Sequence, residues 1–141
     1  MIQAEDRKFV SLRIGEIASF ERTIRADDVR AFADLSGDYS PLHMDDDYAR
    51  STQFGDRLVH GMFLGSLVSR LVGMHMPGKH ALLMKESLEF KKPVRIGDTV
   101  RIEGEIMIAS PSTHIIELDI RLYAENMLVA TGRVHVQVRD E

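Results

Sequence analysis

One carboxylate and one imidazole stand five residues apart in S-G-D-Y-S-P-L-H, residues 36–43. Asp38 and His43 are the types that move protons. An imidazole titrates near neutrality, and a nearby carboxylate sets its tautomer or shares its proton inventory. Pro41 biases Ser40 away from helical backbone, so the segment reads as extended or turned. A rigid turn of this kind can bring an acid and a base to one point. The same residues also suit a plain turn that Asp38 orders, with His43 at the surface. A metal site would need more ligands. Asp45, Asp46 and Asp47 are close in sequence but read as the acidic start of a helix. No metal is expected.

A second group lies at His60-Gly61, where an apolar stretch begins. The first N–H groups of a helix have no partner and lie at its positive end. Glycine lets a ligand approach the backbone closely. The Gly61 N–H therefore suits a developing oxyanion; a simple turn into the helix is the other reading. His60 reads as a loop residue. Ser69 falls eight residues after Gly61, about 80° around a helix axis. Ser66 reads as bonded back to the carbonyl four residues earlier. Gly65-Ser66 lacks the flanking glycines and preceding strand of a nucleophile elbow. Met62, Met74, Met76 and Met84 read as core filler. Lys91, Lys92 and Arg95 read as a solvated turn.

These residues need elements to hold them. A chain of 141 residues suits one domain, 1–141. Its 44% hydrophobic and 28% charged composition is that of a globular protein. A net charge of −4 gives no basic field, so neither nucleic acid nor a membrane is expected as a partner. There is no cysteine, which removes disulfides and thiolate chemistry. The first residues have no apolar signal-type core and look loosely held, and a cytoplasmic location is expected.

Residues 16–24 read as a strand and 26–36 as a helix, with Asp27 and Asp28 in its first turn and Gly37 as its stop. Residues 45–55 suit one or two helical turns. Residues 61–75 are apolar almost all round, the pattern of a helix buried on every side. From residue 80 the period falls to two. Four strands are predicted over 81–94, 98–110, 113–125 and 127–140, with turn chemistry at Pro93, Gly97-Asp98, Pro111 and Glu125-Asn126. Short connections predict antiparallel neighbours. The result is an α+β domain in which a curled antiparallel sheet holds one apolar helix. A long strand left at an edge must be paired or covered, which favours a dimer.

The string L-S-G-D-Y-S-P-L-H, then V-H-G-M and the apolar helix, then S-L-E-F-K-K-P-V-R-I-G-D-T-V, resembles the MaoC-like, or R-specific enoyl-CoA hydratase, family over about residues 16–138. That resemblance implies a hot dog fold, as a dimer or dimer of dimers with the cleft at the subunit interface. It implies syn addition of water to a trans-2-enoyl-CoA, giving an (R)-3-hydroxyacyl-CoA. Asp38 and His43 match the family's acid–base pair, which holds and activates one water. Gly61 matches the donor to the thioester carbonyl, and Ser69 a serine of the active site. Ser40 stands where the family has Asn, and a hydroxyl reaches less far than an amide. CoA enters only as part of the substrate, with acyl carrier protein as another possible carrier. A thioesterase on the same fold would need a carboxylate on the apolar helix, and residues 61–76 contain none. A non-catalytic acyl-thioester-binding subunit is the remaining alternative.

Overall fold

The computed structural model describes residues 2–141. Five strands form one antiparallel sheet: β1 (Ile17–Thr23), β2 (Ala81–Phe90), β3 (Thr99–Ser110), β4 (Ile115–Ala124) and β5 (Met127–Val138), in the spatial order β1-β3-β4-β5-β2. Period-two alternation decides which face is buried. Ile116, Leu118, Ile120 and Leu122 of β4, and Val134, Val136 and Val138 of β5, point into the core. Their neighbours in sequence are partly exposed on the other face. Glu125 and Asn126 close the β4–β5 hairpin with φ of 49° and 65°. A two-residue turn of the type that follows strand twist needs positive φ at both central residues.

The connection between β2 and β3 does not make the expected hairpin. β2 pairs only with β5, and β3 pairs with β1 and β4. The connecting backbone is bound elsewhere: Val59 N–H donates to Val94 C=O at 2.8 Å and Gly97 N–H to Ile24 C=O at 2.7 Å. Turn residues mark where a strand ends, not which strand it will pair with.

Inside the curl lies α4 (Gly61–Arg70), continued by one wider, π-type turn over Leu71–His75. Phe63, Leu64, Leu67, Val68 and Leu71 are buried on it. Gly104 of β3 makes room for this helix, since a Cβ there would lie 2.6 Å from Leu71 Cδ2. The arrangement is the hot dog fold. The helix is not buried on every side, however. Met62, Ser66, Ser69 and Arg70 form an exposed stripe. Met62 is 65% exposed and Met84, on β2, is 57% exposed, so neither fills the core as expected, while Met76 does at 2%.

The first residues are also better held than their composition suggests. Glu5 N–H donates to Met74 C=O and its own carbonyl accepts from Lys79 N–H, both at 2.9 Å. The Asp6 carboxylate lies 2.7 Å from Nε2 of buried His80, and Phe9 stacks on His114 at 4.3 Å. All these partners lie more than 60 residues away, out of reach of local pattern. No helix among the described residues is long and apolar enough to cross a membrane.

Glu86 is the polar exception on the inner face of β2. A Cβ on Gly65 of α4 would lie 2.9 Å from its carboxylate. Burial raises its carboxyl pKa from the ordinary 4.5. The unfolded chain therefore loses this proton at lower pH than the folded one. The stabilisation is complete below the unfolded value and is lost as pH rises through the folded one. Glu86→Gln should raise the melting temperature at neutral pH, and the gain should shrink as the pH falls through the folded carboxyl's raised value and be gone below the ordinary 4.5. Thermal melts of both proteins across that range check this; a gain independent of pH would rule it out.

Candidate active site

α1 (Ala26–Ser36) ends at Gly37, whose φ of 79° turns the chain off the helix axis. Asp38 follows, and its Oδ1 accepts from Ser40 N–H at 3.1 Å. Ser40 is extended at φ −49°, ψ 132°, as a residue before proline should be. Pro41 then takes the first position of α2 (Pro41–Met44), a single helical turn, where its missing N–H costs nothing. His43 rides on that turn. The expectation of an extended or turned segment thus holds as far as Ser40 and gives way to helix after it. Ser40 supports the turn through its backbone: its carbonyl accepts from His43 N–H at 2.9 Å and Met44 N–H at 3.2 Å. Its hydroxyl has no hydrogen bond among the described residues. Asp45 caps α3 (Asp46–Arg50) by accepting from Tyr48 N–H at 3.0 Å, so the three carboxylates start a helix as expected.

Two histidines tie this loop to the segment that leads into α4. His43 Nδ1 lies 2.7 Å from Leu58 C=O. A carbonyl only accepts, so the proton is on Nδ1 and Nε2 keeps its lone pair. His60, 1% exposed, places Nε2 2.9 Å from Asp38 C=O. The two rings stack at 4.1 Å with 25° between their planes, and Phe32 of α1 tilts against His60 at 4.9 Å. Arg57 Nε–H donates to His43 C=O at 2.6 Å. Sequence pattern alone makes His60 a plain loop residue. Its partner is a main-chain carbonyl 22 positions away, and no side-chain pattern encodes that.

Asp38, His43 and His60 each offer one atom within 4.8 Å of the others. Asp38 and His43 make no direct hydrogen bond, so one water can touch both. A metal ion must lie near the plane of each imidazole that binds it. Two rings stacked face to face do not direct their lone pairs to one point, so the three residues fit an ion poorly. Asp38 is exposed and His43 partly exposed in a single chain.

Gly61 opens α4 beside His60, and its N–H has no hydrogen-bond partner among the described residues. The space its missing side chain leaves is not open: a Cβ there would lie 3.1 Å from the Phe90 ring of β2. A side chain here would press on the Phe90 ring, and the N–H is the part left available. Ser69 sits two turns further along, exposed, and makes no hydrogen bond to Asp38 or His43 among the described residues. Ser66 bonds back three residues, to Phe63 C=O at 2.6 Å, rather than four. Lys91 and Lys92 are exposed as expected, but Arg95 is partly buried and holds Phe54 C=O at 3.0 Å.

Chemically, the site combines a base with a free lone pair, a carboxylate across a water-sized gap, and an unpartnered helix N–H nearby. Residues 12–125 match the family model of the MaoC-like domain. The chain is 39% identical over 129 residues to the (R)-specific enoyl-CoA hydratase of Aeromonas caviae, covering 91% of this chain and 96% of that one. It is 32% identical over 130 residues to the 3-hydroxybutyryl-CoA dehydratase of Methylorubrum extorquens, covering 92% and 83%. The solved structure of the R-hydratase PhaJ1 from Pseudomonas aeruginosa superposes with a TM-score of 0.93 at 29% identity, over 99% of this chain and 90% of that one.

The Gly61–Phe90 contact yields a stability test. Gly61→Ala should cost about 1–3 kcal/mol by pushing a methyl into the ring. In a Phe90→Leu background the cost should fall by at least about 0.5 kcal/mol. Urea titration of the four proteins measures this coupling, and additive effects would show that the ring is not the obstacle.

Proposed function

This chain belongs to the MaoC-like domain family, and from that premise we propose that it interconverts trans-2-enoyl-CoA and (R)-3-hydroxyacyl-CoA by syn addition of water. The observation that carries the reading is the Asp38–His43 pair, with Asp38 in the loop after α1, His43 on the one-turn helix that follows and His43 Nε2 free. In hydration, water oxygen bonds to C3 while His43 Nε2 takes one of its protons. His43 Nε2–H then returns that proton to C2 on the same face, which restores the neutral ring, and Asp38 keeps the water oriented. Charge that develops on the thioester oxygen meets the Gly61 N–H; losing one such donor costs roughly 3–4 kcal/mol in a well-studied case. Nothing in this sequence of steps calls for a metal or a redox cofactor. An acyl carrier protein thioester is the alternative form of substrate.

A dimer is part of the same reading. β2 is an open sheet edge carrying Leu82, Met84 and Phe90, each about half exposed, with Met62 of α4 beside them. An apolar edge this long invites a partner strand. A second copy across it would also give exposed Asp38 a wall that one chain lacks. We assign a homodimer through β2, and a dimer of dimers remains compatible with it.

A thioesterase reading has one observation in its favour. α4 has no carboxylate of its own, but Glu86 reaches Gly65 from β2. Release of free CoA should therefore be followed in the same assay.

Crotonyl-CoA hydration, read as loss of enoyl absorbance, should proceed with wild type. It should fall by about 100-fold or more in Asp38→Asn and His43→Ala, each still folded. The product should be the R enantiomer on chiral analysis. Free CoA without hydration would favour the thioesterase, and silence on all enoyl-CoAs would favour a binding subunit. Light scattering should give twice 16.0 kDa for wild type. The double variant Leu82→Lys, Met84→Lys should run as a monomer, and a dimer that survives both lysines would place the interface elsewhere.

A further inference from the structure

We propose that His60 is a positioning residue for the Asp38–His43 pair, acting through its Nε2 proton and its ring face. The inference rests on the hydratase reading above. His60 is the more buried of the two stacked imidazoles, at 1% exposure. Its Nε2 faces a main-chain carbonyl at 2.9 Å and must carry the proton. Its Nδ1 is buried and has no partner. A proton there would be a buried donor with no acceptor, which is the costlier arrangement. The ring is therefore held in one tautomer, with Nδ1 bare.

Two consequences follow for the reacting groups. The bond to Asp38 C=O fixes the main chain of the acid itself, one residue past the left-handed Gly37 that would otherwise let the loop swing. The ring face lies 4.1 Å from the His43 ring and limits how that imidazole can tilt. His43 donates in the opposite direction, from the loop to Leu58 C=O. The two histidine–carbonyl bonds thus cross between the same two segments, and each holds the residue that the other's segment supplies. His60 also stands immediately before Gly61, where its main-chain carbonyl, not its side chain, accepts the first bonds of α4, from Phe63 N–H at 3.1 Å and Leu64 N–H at 3.4 Å. One residue therefore ties the acid and the base, through its ring, to the start of the helix, through its main chain. It touches neither water nor substrate itself.

The test uses His60→Phe, which keeps a ring face and loses the donor, and His60→Gln, which keeps a donor and loses the face. Both are assayed on crotonyl-CoA beside wild type, with thermal melts as the fold control. Long-range proton–nitrogen correlation spectra of wild type at neutral pH read the tautomer. The expected result is a proton on Nε2 of His60 and a bare Nδ1. In His60→Phe, kcat should fall roughly 100-fold, the scale of a misplacement of about 1 Å, with KM little changed. His60→Gln should recover about a tenfold share of that loss. A folded His60→Phe with wild-type kcat overturns the proposal, and so does a proton on Nδ1. If His60→Phe does not fold, the tautomer and the kcat of His60→Gln decide. A wild type without turnover sinks the hydratase reading instead, and the tautomer then tests the His60 geometry by itself.

Discussion

The distance between α4 and the sheet is set where glycines remove side chains from the contact. Gly61 meets the Phe90 ring, Gly65 meets Glu86 and Leu88, and Gly104 meets Leu71 and Leu118. Two of these glycines are on the helix and one is on the sheet. Together they set the seat of α4 against the sheet. A methyl on Gly104 would press into the close-packed core at Leu71, while at Gly61 and Gly65 it would have to move the half-exposed Phe90 ring and the end of the Glu86 side chain. The seat also decides where the start of α4 lies, and with it His60 and the Gly61 N–H. The chemistry is thus positioned from the core outward, by how deep one helix sits.

From that start, the loop after α1 is drawn in by bonds that run both ways. His60 reaches back to Asp38 C=O, and His43 reaches forward to Leu58 C=O. A loop pinned at one point can pivot, whereas two crossed bonds remove that freedom. Both bonds use carbonyls as acceptors, so each imidazole has a defined tautomer without help from a carboxylate. That leaves Asp38 free of any structural ion pair. Among the described residues its carboxylate accepts only from the Ser40 N–H, so the rest of its lone pairs are unengaged.

Elements whose physics is local were legible in the sequence. The bounds of α1 follow from Asp27, Asp28 and Gly37, and the burial of β4 follows from strict alternation over Ile115–Ala124. Asp38, His43 and Gly61 could be singled out by residue type and spacing, because acid, base and helix start are each local facts. What could not be read depends on distant partners. The β2–β3 connection crosses to another part of the sheet because β2 finds β5 and β3 finds β1. Met84 has the composition of core but lies on the edge strand β2, which is a property of strand order, and Met62 lies on the exposed stripe of α4. His60 was visible as a residue, but its role depends on a carbonyl and a stacked ring that only the folded loop supplies.

Ser40 replaces the Asn found in the family motif that this loop resembles, and the geometry explains why the loop tolerates it. The turn needs a donor to Asp38 and an acceptor for the N–H groups of α2. Ser40 supplies both from its main chain, at 3.1 Å to Asp38 Oδ1 and at 2.9 and 3.2 Å from His43 and Met44. The extended φ and ψ that this requires come from Pro41, whatever side chain precedes it. These bonds do not involve the side chain at position 40, so the placement of acid and base is left to Pro41, His43 and His60.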